Sequence, residues 1–474
     1  MTFPTHPTLR HYVLLFLAVA AFHFAGTWSL PLIDRDEPRF SEASREMLQR
    51  QDFVVPYFNN QYRFDKPPLT YWLQSSAYRL FGENEAAARL ASVLAAAGVA
   101  VILLAWGTQL RDARLGWNSA LIFTLCLQVA LHAKAAVADM LLVFFVVLAS
   151  WAGWQWLQVQ TNTLRVRWWA ICFGALALGF LAKGPIAWLP LVPIAMQLRS
   201  KKTAAAFVLG VVVMLGLVAL WGIPALQRTN GAFFQVGIGK HVVGRSVATM
   251  EGHGAKGVLG YVGTLPFYFL TIFASFAPWS WFLPRLIRQT KTLWAEPSSR
   301  YLLLNVTLYF VVFSLVKTKL PHYTLPAFPM LAILVGGVVN PMQLRSFSIA
   351  TAALLLAIFF VGFPLAAPLF PAPSLAAQSA PFLKPEMEFA SIEFVEPSLV
   401  WSFRKTVRGF HSKVDSRKAA AWMQKPGARF YICPTNQVPA AFPLLDPTWK
   451  IFRHTGRNFA KGDRTDLTLL LKPE

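Results

Sequence analysis

Long apolar stretches constrain this chain more than any other feature of its sequence. Of its 474 residues, 55% are hydrophobic and only 14% are charged, whereas a soluble protein carries about 25% charged residues. The apolar residues form blocks long enough to cross a bilayer, which predicts a polytopic α-helical membrane protein. We count eleven candidate spans, at 12–33, 88–108, 116–133, 139–158, 167–182, 185–198, 204–225, 261–284, 300–316, 323–340 and 346–369.

The positive charge of the chain follows a pattern along these spans. A net charge of +22 would suggest nucleic-acid binding in a soluble protein. Here, however, basic residues follow every even-numbered span: Arg111, Arg114, Arg165, Arg167, Arg199, Lys201, Lys202, Arg285, Arg288, Lys291, Arg300 and Arg345. Because cytoplasmic loops are rich in lysine and arginine, these loops and the N-terminus are predicted to be cytoplasmic. Membrane lipids, and no nucleic acid, are the expected surroundings.

The chain divides by composition into two domains. Residues 1–369 contain the spans and a long first outer loop, 34–87. Residues 370–474 begin with a proline-rich linker and then alternate short β-like runs, such as 392–400, 429–433 and 467–471, with a helix near 416–424. This tail is predicted to be a small α/β domain on the extracytoplasmic side.

Two helices are predicted in the first outer loop. One begins near Asp36 and is amphipathic, with Phe40, Ala43 and Met47 on its apolar face, so it would lie flat on the bilayer. The other covers 67–81, where two prolines favour its start and Gly82 favours its end.

An acidic cluster opens the first of these helices. Asp34, Asp36 and Glu37 follow the first span directly. At the positive end of a helix, an ionised Asp36 would be favoured and could act as a base. The alternative is that Asp36 only caps the helix, and local sequence does not decide between the two.

Several cations and polar residues lie in other loops on the same predicted side. They include Lys66, the 134–139 turn, Lys183, the 226–260 loop and the 317–323 segment. Ionisable groups beside apolar spans are costly and usually functional. Their shared side predicts one outward-facing site, in which cations hold a phosphate and a carboxylate activates a hydroxyl. A lipid-linked phosphosugar would require both.

These residues resemble the motifs of a known family. Residues 36–47 (DEPRFSEASREM) and 64–72 (FDKPPLTYW) resemble the first outer loop of bacterial GT-C glycosyltransferases of the aminoarabinose transferase and protein O-mannosyltransferase-like family. Further matches are 81–85 (FGENE), 183–185 (KGP), 319–326 (KLPHYTLP) and, with less specificity, 396–399 (EPSL). The resemblance implies a GT-C fold and a polyprenyl-phosphate sugar donor.

The resemblance also implies roles for individual residues. Asp36 matches the catalytic carboxylate, and Lys66 matches the lysine that holds the donor phosphate, although an interfacial lysine could simply reach toward water. Lys183, Tyr323 and Arg245 are candidates for further donor-phosphate contacts. The supporting residues would be Glu37, Arg39 and Asp139.

A divalent metal ion is an open alternative. Asp65 stands where the aminoarabinose transferases have a glutamate that belongs to a metal site, and His241 stands near a histidine of that group. One carboxylate and one histidine make an incomplete metal site. A site with no cofactor is therefore equally compatible with the sequence.

The sequence as a whole predicts an inner-membrane glycosyltransferase. It would move a sugar from a polyprenyl phosphate to a lipid A-like, glycan or protein acceptor in the periplasm. The alternative is a transporter or flippase of a lipid-linked anionic sugar. That class would have charged residues near the bilayer midplane and paired repeats, neither of which the sequence contains.

Overall fold

The computed structural model describes residues 6–237, 239 and 257–473. His241 and Arg245 lie outside these residues.

Within the described part, seven helices are long and apolar enough to cross a membrane. Their bounds are Glu85–Leu110, Asp139–Gln158, Asn162–Lys183, Lys201–Arg228, Pro297–Leu315, Pro321–Val338 and Pro341–Leu369. Each corresponds to one of the eleven predicted spans. A bent pair, Leu259–Ser275 and Trp279–Arg288, has an angle of 114° between its halves and would make an eighth.

The other three predicted spans are shorter or broken. The first is a helix of 16 residues, Leu9–Phe24 (α1), and the chain turns away at Gly26. A Cβ at Gly26 would lie 2.6 Å from the carbonyl oxygen of Phe359, so the turn packs tightly on the last span. The 116–133 segment is divided into Ala113–Thr124 and Leu127–His132. The 185–198 segment is a 3-10 turn followed by Leu191–Ala195, because prolines interrupt it.

The first outer loop contains both predicted helices, Asp36–Arg50 (α2) and Leu69–Phe81 (α3). Gly82, with φ of +77°, ends α3 as predicted. The apolar face of α2 packs on α3, where the rings of Phe40 and Tyr71 stack with centroids 5.3 Å apart.

The polar face of α2 is buried against the protein rather than exposed, while its flat position on the bilayer stays a prediction. Glu42 and Arg45 are both 0% exposed and form an ion pair at 2.5 Å. Arg404 of the C-terminal domain binds the other oxygen of Glu42, and the Arg45 guanidinium lies 3.9 Å from the ring centroid of Trp401. Buried charges require such partners. The C-terminal domain therefore covers α2 and separates it from solvent.

The C-terminal domain is a five-stranded mixed sheet with helices, as the predicted α/β class requires. Its strands are Glu388–Ser391 (β3), His411–Lys413 (β4), Arg429–Pro434 (β5), Lys450–Asn458 (β6) and Asp463–Lys472 (β7); a two-residue pair, Tyr57–Phe58 (β1) and Gln61–Tyr62 (β2), lies in the first outer loop. The order is β4-β3-β5-β7-β6, with β3 parallel to β4 and β5, and β7 antiparallel to β5 and β6.

The helices of this domain are Pro371–Ser379, Pro397–Phe403, Ser416–Gln424 and the short Val438–Ala441. The predicted 416–424 helix is confirmed. The 392–400 run is not a strand, because Pro397 begins the helix that docks on α2.

A buried ion pair fixes the start of α2. Glu37 is 4% exposed and accepts two hydrogen bonds of 2.9 Å from the guanidinium of Arg89 in the Glu85–Leu110 helix (α4). Its oxygens also accept the backbone N–H groups of Ile33, at 2.8 Å, and Ala136, at 2.7 Å. One carboxylate thus joins the segment after α1, α2, α4 and the turn before the Asp139–Gln158 span.

Replacing Arg89 by methionine should lower the free energy of unfolding by about 3 kcal/mol, because it leaves Glu37 charged and buried without its cation. Denaturant unfolding in detergent micelles measures this loss. Arg111→Met is the matched control, since Arg111 follows the same helix and its side chain is 49% exposed. Equal losses in the two variants would contradict the assigned role of the pair.

Candidate active site

The described residues enclose one large cavity of about 710 Å³. It lies where the first outer loop, the outer ends of several spans and a hairpin of the C-terminal domain meet. Seven of the residues predicted from sequence line it: Asp36, Arg39, Asp65, Lys66, Asp139, Lys183 and Tyr323. The structure therefore brings together groups from four separate parts of the chain.

Asp36 lies in the first turn of α2, and Arg35 occupies the cap position. The Asp36 side chain is exposed to the cavity. Within the described part of the chain it makes no hydrogen bond or ion pair. A carboxylate with free acceptor positions at a helix N-terminus is available to a ligand.

Asp139 also lines the cavity, where Lys183 and His322 lie next to its carboxylate. Lys183, at the end of the Asn162–Lys183 helix, binds Asp139 Oδ1 through its ammonium group. The Nε2 atom of His322 lies 3.8 Å from the same oxygen, and the Lys183 Nζ atom lies 5.8 Å from the ring centroid of Tyr323. Asp139 therefore holds the Lys183 cation at the cavity wall.

Lys66 and Asp65 reach the cavity from the loop before α3. Both side chains are partly buried. Asp65 is 3.0 Å from Arg63 Nη1, and Arg63 donates a 3.0 Å hydrogen bond to the Tyr71 hydroxyl. Asp65 is thus engaged by an arginine, and Lys66 lines the cavity.

The predicted supporting residues Arg39 and Glu37 differ in their position relative to the cavity. Arg39 lines the cavity, but Glu37 does not, because its carboxylate faces Arg89. Glu37 can support the site only by fixing α2.

Sequence reasoning missed His132 and His322. Their rings lie 4.9 Å apart, and with Asp139 they present ligand atoms within 4.8 Å of one another. The only sequence signal was His322 inside the 319–326 motif. This set fits a resident divalent metal ion poorly, because the Lys183 ammonium already occupies Asp139 and would repel a second cation. Asp65, the carboxylate of the predicted metal site, is paired with Arg63, and its predicted partner His241 lies outside the described residues.

Asp34, a member of the predicted acidic cluster that was given no role of its own, also lines the cavity. Its side chain is partly buried where the C-terminal domain covers α2, and it accepts a 2.8 Å hydrogen bond from the backbone N–H of Ser398. Burial raises the pKa of Asp34 to about 7, although the hydrogen bond from Ser398 opposes the rise. This carboxyl group therefore changes its protonation near neutral pH.

The fold defines the class of this protein: it is a GT-C membrane fold with an added sheet domain. It superposes on ArnT from Cupriavidus metallidurans bound to undecaprenyl phosphate with a TM-score of 0.76 and 20% identity, covering 98% of each chain. A dolichol-phosphate complex of the oligosaccharyltransferase AglB from Archaeoglobus fulgidus gives a TM-score of 0.52 with 11% identity, covering 89% of this chain and 69% of that one.

Sequence relatives agree with the fold. The profile of the family described as dolichyl-phosphate-mannose-protein mannosyltransferase matches residues 13–198. An uncharacterized protein of Aquifex aeolicus is 30% identical over 73% of this chain and 77% of its own length. The undecaprenyl phosphate-alpha-4-amino-4-deoxy-L-arabinose arabinosyl transferase 2 of Pseudomonas fluorescens is 30% identical over 73% of this chain and 60% of its own length.

The chain belongs to the GT-C glycosyltransferases of the aminoarabinose transferase and protein O-mannosyltransferase-like family. It spans about three fifths of the length of the arabinosyl transferases it matches.

The position of Asp34 predicts a pH-dependent stability. Its folded pKa, about 7, is above the value of about 4 expected in an unfolded chain. Between these values the unfolded carboxyl has already lost its proton, so the stability falls as pH rises, and the full cost is present above about pH 7. Asp34→Asn keeps the acceptor oxygen, so it should raise Tm at pH 8 and leave it nearly unchanged at pH 4.

Thermal unfolding across this range measures the effect. The exposed Asp463 provides the control variant, Asp463→Asn, in which no such gain is expected. The account of Asp34 would be wrong if its substitution shifted Tm equally at both pH values.

Proposed function

We propose that this protein is a polyprenyl-phosphate-dependent glycosyltransferase that acts on the periplasmic side of the bacterial inner membrane. One observation carries the proposal: a single cavity contains the carboxylate of Asp36, which has no protein partner among the described residues, together with the cations Lys66 and Lys183. An acceptor hydroxyl and a lipid phosphate need these two kinds of group at adjacent positions.

The walls of the cavity support a lipid donor. Beyond the charged groups, the lining is apolar and comes from the spans and the residues next to them: Phe180, Leu189, Val218, Leu226, Phe313 and Val316. A polyprenyl chain would pack on this surface while its phosphate stayed near the lysines. The names of the arabinosyl transferases and the undecaprenyl phosphate in the ArnT structure favour undecaprenyl phosphate as the carrier.

The charges suggest the course of the reaction. Asp36 accepts the proton of the acceptor hydroxyl, whose oxygen attacks the anomeric carbon with inversion. The bond between that carbon and the phosphate oxygen breaks, and polyprenyl phosphate leaves with one more negative charge. Lys66 and Lys183 stabilise this charge. Arg245 and Tyr323 keep their predicted roles in binding the donor phosphate.

The loops support a periplasmic orientation of the cavity. The cavity is lined by 34–39, 63–67, 137–139, 183–189 and 320–326, all on the side opposite the basic loops. Since basic loops remain cytoplasmic, the cavity would face the periplasm. The donor would be presented there without a nucleotide, and the acceptor would be an envelope lipid, glycan or protein.

Asp36→Asn should reduce the transfer rate by about a factor of a thousand, because the amide cannot accept the proton while the side-chain shape is kept. Purified protein in proteoliposomes is supplied with undecaprenyl phosphate carrying labelled 4-amino-4-deoxy-L-arabinose or mannose, and with an envelope extract as acceptor. Transfer of label to the extract is measured.

Binding of undecaprenyl phosphate to this variant should be unchanged, which shows that it is folded. Full transfer activity in Asp36→Asn would refute the assigned base. Movement of labelled lipid across the bilayer without transfer would instead favour the transporter class.

Lys183→Gln should weaken donor binding between about tenfold and a hundredfold, the equivalent of one charge-assisted hydrogen bond. Because the substitution leaves Asp139 buried without its cation, the double variant Lys183→Gln/Asp139→Asn is needed as well. It should recover the thermal stability but not the donor affinity. Lys413→Gln, on an exposed strand of the C-terminal domain, is the control, and recovery of donor affinity by the double variant would contradict a phosphate contact.

A further inference from the structure

The hairpin formed by β6 and β7 reaches the cavity although it belongs to the C-terminal domain. Phe459 and Ala460, at its tip, both line the cavity. Neither residue was singled out in the sequence, and the proposed reaction does not yet use them.

The hairpin turn is fixed by its own hydrogen bonds. The buried side chain of Asn458 accepts the backbone N–H groups of Ala460, at 3.0 Å, and Lys461, at 3.3 Å. The backbone carbonyl oxygen of Asn458 accepts a 2.7 Å hydrogen bond from the N–H of Gly462. Gly462 has φ of +82°, a conformation that glycine adopts readily. The tip therefore has a defined shape.

The hairpin is also fixed against the end of the last span. The His454 ring nitrogen Nε2 is 2.7 Å from the carbonyl oxygen of Pro368. A Cβ at Gly456 would lie 2.5 Å from the carbonyl oxygen of Leu369, so only glycine permits this approach. The rings of Phe370 and Phe459 stack with centroids 4.3 Å apart.

One buried carboxylate connects the tip with the acidic cluster of the first outer loop. Glu396 is 5% exposed. Its Oε1 atom accepts a 3.1 Å hydrogen bond from the Asn458 side chain, and its Oε2 atom accepts a 3.3 Å bond from Arg35 Nε. Arg35 directly precedes Asp36, and Asn458 directly precedes Phe459. Two hydrogen bonds therefore set the distance between the proposed base and the tip.

We propose that the β6–β7 tip forms the acceptor side of the active cavity, with Phe459 determining acceptor specificity and Glu396 acting as a positioning residue. This inference rests on the proposed glycosyl transfer.

The position of the tip indicates that it contacts the acceptor rather than the donor. The surfaces suited to a lipid carrier lie among the spans, and Lys66 and Lys183 come from the loop before α3 and from the end of a span. The C-terminal domain instead meets the cavity at Asp34, Arg35 and the tip, beside the carboxylate that would activate the acceptor. An exposed aromatic ring there offers a face on which a sugar ring or an acyl chain of the acceptor can pack.

The full-length protein in proteoliposomes tests the inference, with the two labelled undecaprenyl-phosphate sugars and an envelope extract from a strain of the source bacterium that lacks this gene. Phe459→Ala should raise the half-saturating amount of extract about fivefold, with donor half-saturation and maximal rate changing less than about twofold. Ile451→Ala is the matched control, because Ile451 is an exposed apolar residue on the same hairpin, 45% exposed, that does not line the cavity.

Glu396 is tested through two substitutions. Glu396→Ala should reproduce the acceptor effect of Phe459→Ala, whereas Glu396→Gln, whose single side-chain oxygen can accept from Asn458 or from Arg35 but not from both, should recover only part of it. A purely structural role would lower Tm and raise both half-saturation values together, and Gln would give no selective recovery.

The outcomes separate this inference from the proposed function. If the wild type transfers label and Phe459→Ala behaves like Ile451→Ala, the acceptor assignment is overturned while glycosyl transfer stands. If Phe459→Ala raises only the donor half-saturation, the tip belongs to the donor side and the inference is equally wrong. If the wild type transfers neither sugar, the proposed function fails and the inference fails with it.

Discussion

The position of the proposed base depends on the carboxylate next to it. Glu37 binds Arg89 and two backbone N–H groups, so the first turn of α2 is held against α4 and the 133–138 turn. With Glu37 fixed inward, Asp36 is directed into the cavity by helix geometry. Two adjacent acids thus have opposite tasks: one is buried and paired, and the other is exposed and without a protein partner among the described residues.

Buried ion pairs also hold the other side of α2. Buried arginines and glutamates join it to the C-terminal domain, and Arg404 and Glu42 meet although they are 362 positions apart in the chain. This contact makes the sheet domain part of the cavity wall. The domain therefore contributes to the site as well as to the stability of the outer loop.

Much of this architecture could be predicted from the sequence because its signals are local. Gly82 ends α3, and apolar length marks most spans. The shared side of the polar loops anticipated that Asp36, Lys66, Lys183 and Tyr323 would line one cavity. Distant contacts could not be predicted from local signals: nothing near Glu42 in the sequence indicates Arg404. The 185–198 segment was predicted as a span because it is apolar, although it is too rich in proline to form a long helix. His132 and Phe459 join the site only through tertiary packing.

The central claim is that Asp36 and the lysines of this cavity face one lipid phosphate. A cryo-EM structure of the protein in nanodiscs with undecaprenyl phosphate tests it most directly. The account predicts phosphate density within hydrogen-bonding distance of Lys66 and Lys183, the isoprenoid chain along the apolar wall, and Asp36 on the open side facing the tip of the C-terminal hairpin. Phosphate bound outside this cavity, or on the side of the basic loops, would contradict it.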